Sequence, residues 1–354
     1  MRCKGRGGRK MKVGRRTFMA MGAGILALSS KAAISDAIDR AGRRKRINVK
    51  ASLEDNLINE YLQPKSVTLD VGAKTPFSAL HFSDTHVSML DAGELLSWTA
   101  KELSLYEARN NGVFGKGGFP FAMQSLAATI AYARRKGIPM LNTGDLFDFR
   151  SEMNLACIRN SFAGQDVFSA LGNHEGWGLH TFRLNPGTAA EEDALRKRFE
   201  EAIGNPLLLA SRTINGVNFV AFDNSIFAKR RRKEQFAMLK DEFAKGLPTV
   251  LMCHMPPFSR ELHEANCELL RKRGNPVPKD DNLNGYYMMG EDFAKTKAPP
   301  LMKDMVSFIK SQKNLKAFLC GHLHFEWQGL FDGRVPVLVA GRNFNGECYD
   351  ILFK

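Results

Sequence analysis

Short apolar, β-rich runs alternate with helical stretches from residue 78 to the end of this 354-residue chain. One helical stretch, residues 117–137, ends at a glycine, and residues 207–225 are typical of a hairpin with Asn215-Gly216 at its turn. Strands that alternate with helices over short connections predict a layered α/β fold. Residues 88–118 and 258–300 break this rhythm, and irregular segments of that length are usually functional or mobile.

The net charge of +14 is concentrated at the start of the chain. Residues 1–50 hold 15 Lys/Arg against 2 Asp/Glu, whereas the remaining residues hold 36 against 35. A nearly neutral body argues against a nucleic-acid-binding surface, which is normally strongly basic.

The first 32 residues have the pattern of an export signal. Basic residues precede an apolar run, Phe18 to Ser30, that as a helix reaches about 20 Å, short of the roughly 30 Å needed to span a bilayer. Arg15-Arg16 before Thr17-Phe18 resembles a twin-arginine signal, although Gly14 replaces the usual Ser/Thr. The alternative is a basic disordered tail beside a buried core helix.

We therefore predict three regions: a signal peptide (1–32), a basic and helical extension (33–74) and a catalytic domain (75–354). The protein is expected to meet the twin-arginine translocation machinery and to be exported to the bacterial periplasm or the extracellular space. Nothing after residue 32 is apolar and long enough to span a bilayer. The six cysteines include no C-x-x-C pair, so a thiolate zinc site is not expected.

Ionisable or amide side chains follow five separate apolar runs. Ligand sites in α/β sheets lie outside the carboxyl ends of strands, so these side chains are predicted to converge. In extended chain, residues i and i+2 point the same way, so the D-x-H and H-x-H pairs each present two donors to one side. Buried core histidines and capping aspartates are the alternative, but burying the whole set without a metal would be costly. The residues are Asp84, His86, Asp145, Asp148, Asn173, His174, His254, His322 and His324.

Carboxylate, imidazole and amide donors suit Mn, Zn, Fe or Ni better than Cu(I) or an iron–sulfur cluster. Seven of these nine side chains, taken as ligands, are too many for one tetrahedral ion. They suit two divalent ions that share a carboxylate.

The order of the motifs resembles the calcineurin-like metallophosphoesterase superfamily. The matching blocks are DTH (84–86), GDLFD (144–148), GNHE (172–175), CH (253–254) and GHLH (321–324). The resemblance implies a four-layer α/β/β/α sandwich with a dinuclear metal site and a metal-bridging hydroxide that attacks a phosphomonoester or phosphodiester.

The resemblance also implies a role for each matching residue. One metal would be held by Asp84, His86 and His324, the other by Asn173, His254 and His322, with Asp145 bridging both. His174 would assist the leaving oxygen, and Asp148 would orient His174. The tyrosine ligand of the purple acid phosphatases is absent, since Asp148 stands at its position, and Glu175 replaces a more usual aspartate.

The expected substrate is a phosphorylated small molecule. The alternatives are a nuclease of the same superfamily, which the neutral body argues against, and a non-catalytic metal-binding module. Weaker site candidates are Asn224, Arg342 and Asn343, which follow strands, and Tyr286–Met289, which either walls the substrate or packs within its own segment.

Overall fold

The computed structural model describes residues 53–116, 119–176, 188–225, 228–278, 283–288 and 300–354. The predicted signal peptide and residues 33–52 lie outside these. Residues 54–354 form one compact unit. The helices are α1 (53–61), α2 (Ala92–Leu96), α3 (Ala100–Gly112), α4 (Ala122–Lys136), α5 (Glu152–Phe162), α6 (Ala189–Ile203), α7 (Ala228–Ala244), α8 (Arg260–Lys272) and α9 (Pro300–Ser311).

Thirteen strands are found among these residues. They are β1 (Gln63–Leu69), β2 (Phe77–Phe82), β3 (Gly115–Lys116), β4 (Phe119–Pro120), β5 (Met140–Asn142), β6 (Val167–Ser169), β7 (Leu209–Ile214), β8 (Val217–Phe222), β9 (Thr249–Met252), β10 (Leu315–Cys320), β11 (Trp327–Phe331), β12 (Val335–Val339) and β13 (Glu347–Phe353).

Two larger sheets are built from these strands. The first has the order β1-β13-β2-β5-β6, and only the β13–β2 pair is antiparallel. The second has the order β11-β12-β10-β9-β8-β7, with β12, β10, β9 and β8 parallel and antiparallel strands at both edges. The β7–β8 hairpin turns at Asn215-Gly216 as predicted, both with positive φ.

Alternation along the strands produces the four layers. Ala79 of β2 and Val250 of β9 belong to one buried cluster between the two sheets. Their neighbours Leu80 and Leu251 point the other way, into separate clusters with the helices. Because side chains alternate across a strand, each sheet has one face against the other sheet and one face against helices. The predicted α/β/β/α sandwich is confirmed.

The compact unit begins before the predicted boundary at residue 75. Ile58 of α1 is buried in the cluster beside the first sheet, and β1 pairs in register with β13 from Gln63 to Leu69. Residues 54–74 are therefore part of the sandwich and not of a separate extension. Their strand is a half-exposed edge strand, which leaves only a weak apolar signal in the sequence.

The two segments predicted to be irregular are in fact partly helical. Residues 88–118 contain α2 and α3, each begun by a capping box, at Asp91 and at Thr99. Residues 258–300 contain α8, whose N-cap is Ser259. Side-chain caps that satisfy the first backbone N–H groups mark a helix start in the sequence, so these helices were visible there. No helix among the described residues is long and apolar enough to cross a membrane.

Candidate metal centre

The predicted site residues lie together just beyond the carboxyl ends of five strands. Three of these strands, β2, β5 and β6, belong to the first sheet, and β9 and β10 belong to the second. The site therefore forms where the carboxyl ends of the strands of the two sheets lie side by side. This convergence agrees with the expectation drawn from strand ends.

The local backbone differs from the extended chain that the i, i+2 argument assumed. Asp84 and His86 have φ of 57° and 49°, and His322 and His324 have φ of 75° and 56°. These are left-handed conformations, which side-chain-bearing residues adopt rarely. The donors converge because turns after the strands redirect them. The convergence was predicted correctly, but the reason given for it, side-chain alternation in extended chain, was wrong.

A first group of donors surrounds Asp84. Its Oδ1 lies 3.2 Å from His324 Nε2 and 3.7 Å from His86 Nε2. The two Nε2 atoms are 3.0 Å apart, and His86 Nε2 is 3.7 Å from Asp145 Oδ2. These four side chains present their ligand atoms within 4.8 Å of one another.

A second group shares Asp145 with the first. Asp145 Oδ2 lies 3.1 Å from His254 Nε2, which in turn is 3.2 Å from His322 Nδ1. These three residues also place their ligand atoms within 4.8 Å of one another. The structure thus contains two adjacent donor groups with one common carboxylate, and a third group of His86, Asp148 and His174 that shares His86 with the first.

Hydrogen bonds outside the centre orient most of these donors. Asp84 Oδ2 accepts from the backbone N–H of His322 (2.9 Å), and Asp145 Oδ1 accepts from that of His174 (2.8 Å). His254 Nδ1 donates to the Thr143 carbonyl (2.7 Å), which leaves Nε2 facing inward. His322 Nε2 donates to the Gly285 carbonyl (2.9 Å), which leaves Nδ1 facing inward. Such outer partners fix the tautomer and direction of metal-binding imidazoles.

The residues present fit a metal. The buried Oδ1 atom of Asn173 has no hydrogen-bond partner among the described residues, and that of Asp84 meets the imidazoles of His324 and His86 without forming a hydrogen bond of good geometry. An acceptor buried without a donor is costly, and a bound cation would satisfy it. Asn173 directly precedes His174, whose N–H bonds to Asp145. This buried His/Asp cluster can therefore hold divalent metal.

Glycine permits the close approach of the motif loops. A Cβ on Gly321 would lie 2.6 Å from both Asp84 Oδ2 and Ser83 Cβ, so a larger residue would displace the Asp84 carboxylate. The glycine before His322 is thus required by the packing of the first and fifth motifs.

The electrostatics of the cluster favour cations. Burial lowers the pKa of His86 and of His254, but nearby carboxylates outweigh it and raise these pKa values to about 9 and about 10. Burial and the charge of His254 lower the pKa of His322 to about 4. Burial would raise the pKa of Asp84, yet the imidazoles of His324 and His86 hold it well below its usual range. Protons and metal ions would therefore compete for the same nitrogens.

His174 lies beside the first group, held by Asp148. Its Nδ1 is 2.9 Å from the Asp148 carbonyl oxygen and 2.9 Å from Asp148 Oδ1. Both atoms only accept hydrogen bonds, so Nδ1 carries a proton. Burial would raise the pKa of Asp148, but Arg109, His174 and His86 hold it well below its usual range. The predicted contact between Asp148 and His174 is present.

Sequence reasoning did not assign a role to Glu175. Its carboxylate is buried and accepts from the backbone N–H groups of Asp145 (3.1 Å), Leu146 (2.6 Å) and Gly172 (2.8 Å). Burial, and secondarily the charge of Asp145, raises the pKa of Glu175 to about 7. Glu175 thus links the second motif to the third. Its carboxylate accepts from buried backbone N–H groups that lie beyond the strand ends and have no partner in the sheet.

Three further residues were missed because they reach the site only through the tertiary fold. Arg109 pairs with Asp148. The Phe114 ring stacks on His86 with centroids 4.6 Å apart, and Phe344 packs edge-on against His324 at 5.4 Å. No spacing in the sequence links these residues to the motifs.

Two of the weaker candidates, Asn224 and Asn343, bond residues next to predicted ligands. Asn224 bonds both backbone groups of Met255, next to His254. Asn343 bonds Thr85 and Thr129 and is fully buried. Arg342 pairs with Glu347.

Both interpretations of Tyr286–Met289 are supported in part by its described residues, and Met289 lies outside them. Tyr287 packs within the 258–300 segment, since its ring lies 5.5 Å from that of Phe258 and its hydroxyl accepts from Asn266, and Tyr287 and Met288 both join the buried cluster beside the second sheet. Tyr286 is half-buried, with its ring 6.4 Å from that of His322.

Comparison with known proteins gives one family match and several distant structural likenesses. Residues 77–326 match the sequence model of the family described as calcineurin-like phosphoesterase. Among solved structures, the chain is similar to a dimetal phosphatase from Danio rerio (11% identity, 76% of this chain and 88% of that one, TM-score 0.43). It is also similar to a phosphopantetheinyl hydrolase from Mycobacterium tuberculosis (15%, 75% and 90%, 0.37) and a calcineurin-like phosphoesterase from Bacillus subtilis (12%, 76% and 82%, 0.38).

At such identities and TM-scores, these structural likenesses carry no information about substrate. No curated protein sequence matches the chain.

Proposed function

Because the chain belongs to the calcineurin-like phosphoesterase family and is a hydrolase of phosphoric esters, we propose that it uses a dinuclear metal site to cleave a phosphomonoester or phosphodiester. Asp84, His86 and His324 would hold one divalent ion. Asn173, His254 and His322 would hold the other, and Asp145 would contact both.

The observation that carries this proposal is the shared position of Asp145. Its Oδ2 lies within 3.7 Å of His86 Nε2 in one donor group and 3.1 Å from His254 Nε2 in the other. One carboxylate oxygen is therefore placed between two sets of carboxylate and imidazole side chains. That arrangement suits two ions held side by side.

The chain's own residues would then do three things. They would fix both ions through ligand atoms already oriented by outer hydrogen bonds. Asn173 would supply a neutral oxygen, which avoids a further negative charge beside an anionic substrate. His174 would protonate the leaving oxygen from Nε2, since Nδ1 is engaged by Asp148. When bound, two divalent ions would activate a water and offset the negative charge of the phosphate.

The test combines metal analysis with ester hydrolysis. The purified protein should contain two metals per chain and hydrolyse a mono- or bis-aryl phosphate. Asn173→Ala and His254→Ala should lose metal and nearly all activity. His174→Ala should retain both metals and turn over about 10²–10⁴-fold more slowly, the range for loss of a general acid. Full activity in metal-free protein would refute the proposal.

Export is a second part of the proposal, supported only by the sequence of residues 1–32. The twin-arginine route carries folded proteins, so metals would be loaded before export. A reporter fused after residue 50 should appear in the periplasm, and Arg15→Lys/Arg16→Lys should abolish this. Export of the double-lysine variant at the original rate would refute a twin-arginine route.

A further inference from the structure

Helix α3 delivers an arginine to the proton-donating part of the site. Arg109 Nε lies 2.6 Å from Asp148 Oδ2, and its Nη2 contacts Asp148 Oδ1. The Asp148 side chain is fully buried, while that of Arg109 is 21% exposed. The contact is a parallel two-pronged pair, which fixes the plane of the carboxylate as well as its position.

The carboxylate held in this way is the one that holds His174. Asp148 Oδ1, the oxygen that Arg109 Nη2 contacts, lies 2.9 Å from His174 Nδ1. We propose that Arg109 is a positioning residue, which aims the His174 imidazole at the leaving oxygen by locking the Asp148 carboxylate. This inference rests on the proposed function for what His174 donates to, but not for the geometry of the three residues.

A lone aspartate would hold the imidazole less firmly. A carboxylate rotates about its Cβ–Cγ bond, and the contacts of Asp148 with His174 Nδ1 (2.9 Å) and with His86 Nδ1 (3.6 Å) both fall on Oδ1, so on their own they restrain that rotation weakly. Two parallel bonds from a planar guanidinium remove it, and they do so from a helix outside the motif loops. General-acid catalysis depends on hydrogen-bond geometry, so the loss of this restraint should slow proton donation specifically.

The helix itself is anchored beside Asp148. The rings of Trp98 and Tyr106 pack on Phe149, the residue after Asp148. Tyr106 Oη also donates to the Ser88 carbonyl (3.1 Å). Segment 88–118 was predicted to be irregular, and part of it instead packs beside the contact between Asp148 and His174.

The same segment contacts the metal-facing side. The Arg109 carbonyl accepts from the N–H groups of Val113 and Phe114, which closes the helix end. Phe114 then stacks on His86, and the Arg109 guanidinium carbon lies 5.1 Å from the centre of the Phe114 ring. Any test of Arg109 must therefore separate an effect on proton donation from an effect on the metals.

Leaving-group dependence makes that separation. A nitrophenyl ester needs little help from an acid, whereas a simple alkyl ester needs a proton at its leaving oxygen. In zinc-loaded Arg109→Gln, kcat/KM for the alkyl ester should fall about 10–100-fold, with at most about a threefold loss for the nitrophenyl ester. Both metals should remain. Arg109→Lys keeps the charge but not the two-pronged geometry, so its kcat/KM for the alkyl ester should lie between those of Arg109→Gln and the unaltered protein. Lys101→Gln, on the exposed side of α3, should match the unaltered protein.

Two further measurements decide between mechanisms. Arg109→Gln combined with His174→Ala should be no slower on the alkyl ester than His174→Ala alone, because both act on one step. The proton NMR signal of His174 Nδ1–H should shift or vanish in Arg109→Gln and persist in Lys101→Gln. If Arg109→Gln does not fold, Arg109→Lys carries the same comparisons.

The inference is overturned if Arg109→Gln slows both esters equally and its effect adds to that of His174→Ala. Arg109 would then act on the fold or on the phosphate. An unaltered, metal-loaded protein inert toward every ester would instead refute the proposed function. The NMR comparison would still decide whether Arg109 positions His174.

Discussion

Replacing Gly144 by alanine should destabilise the fold and empty the metal site together. Gly144 has a φ of +98°, and a methyl group there would lie 2.6 Å from Gly172 Cα and 2.8 Å from the carbonyl carbon of Leu171. These are backbone atoms, so relief requires the second and third motif loops to move apart. Asp145 follows Gly144, and Asn173 follows Gly172, so the movement would separate two predicted ligands of one ion.

The magnitude has two parts. A left-handed backbone costs alanine about 1–2 kcal/mol relative to glycine. Forcing a methyl group into backbone contact adds about 1–3 kcal/mol. We therefore expect Gly144→Ala to lower the free energy of unfolding by about 2–5 kcal/mol. Gly204 provides a matched control, because its φ is +97° and a methyl group there would meet nothing within 4 Å.

Urea denaturation of the metal-free variants measures the difference. Gly204→Ala should show only the backbone part and keep two metals and full activity. Gly144→Ala should be less stable than Gly204→Ala and should contain less than one metal per chain after dialysis. Equal stability losses in the two variants, with full metal content in Gly144→Ala, would show that the close approach of the two loops is not what requires glycine.

Two other predictions concern protons and the Glu175 carboxylate. His86 and His254, with pKa values of about 9 and about 10, are protonated in metal-free protein near neutral pH and must lose those protons to bind metal. Metal affinity should therefore rise as pH rises from about 7 to about 10, with close to two protons released per chain near pH 7 by calorimetry in two buffers; an affinity independent of pH would contradict this. Glu175→Gln should lower the free energy of unfolding by about 1–3 kcal/mol, because an amide cannot accept all three N–H groups. Glu191→Gln, in the exposed capping box of α6, should leave that free energy nearly unchanged. Equal losses in the two variants would argue against the link that Glu175 makes between the second and third motifs.

The layered fold and the convergence of the motifs were predictable because both follow from local pattern. Apolar alternation marks strands, and a rule about strand ends then gathers Asp84, Asp145, His254 and the rest at one edge. Even α2 and α3 were predictable from their capping boxes, since Asp91 and Thr99 are each followed three residues later by glutamate. A helix that apolar periodicity does not reveal can still be predicted from the polar residues that cap its start.

The contacts of Arg109 and Phe114 could not be predicted in this way. Arg109 is 39 residues from Asp148, and an arginine in the last turn of a helix is ordinarily a solvated residue that interacts favourably with the helix dipole. Its role depends on where α3 docks, which the packing of Trp98 and Tyr106 against Phe149 decides. Docking of this kind is a long-range property that spacing does not encode.

The backbone at the metal centre shows why a correct prediction rested on an incorrect reason. Seven residues other than glycine have positive φ among those described; two, Asn215 and Asp332, each precede a turn glycine, and the other five are site residues. Each such conformation costs of the order of 1 kcal/mol and persists only where surrounding contacts enforce it. Here the N–H groups of Asp84 and His86 donate to the carbonyls of Gly144 and Asp145, so the second motif imposes the conformation of the first. In an extended strand, residues i and i+2 would have pointed to the same face of the sheet. The left-handed turns fold the chain back on itself instead, which is how two histidines only two residues apart, His322 and His324, come to face different donor groups.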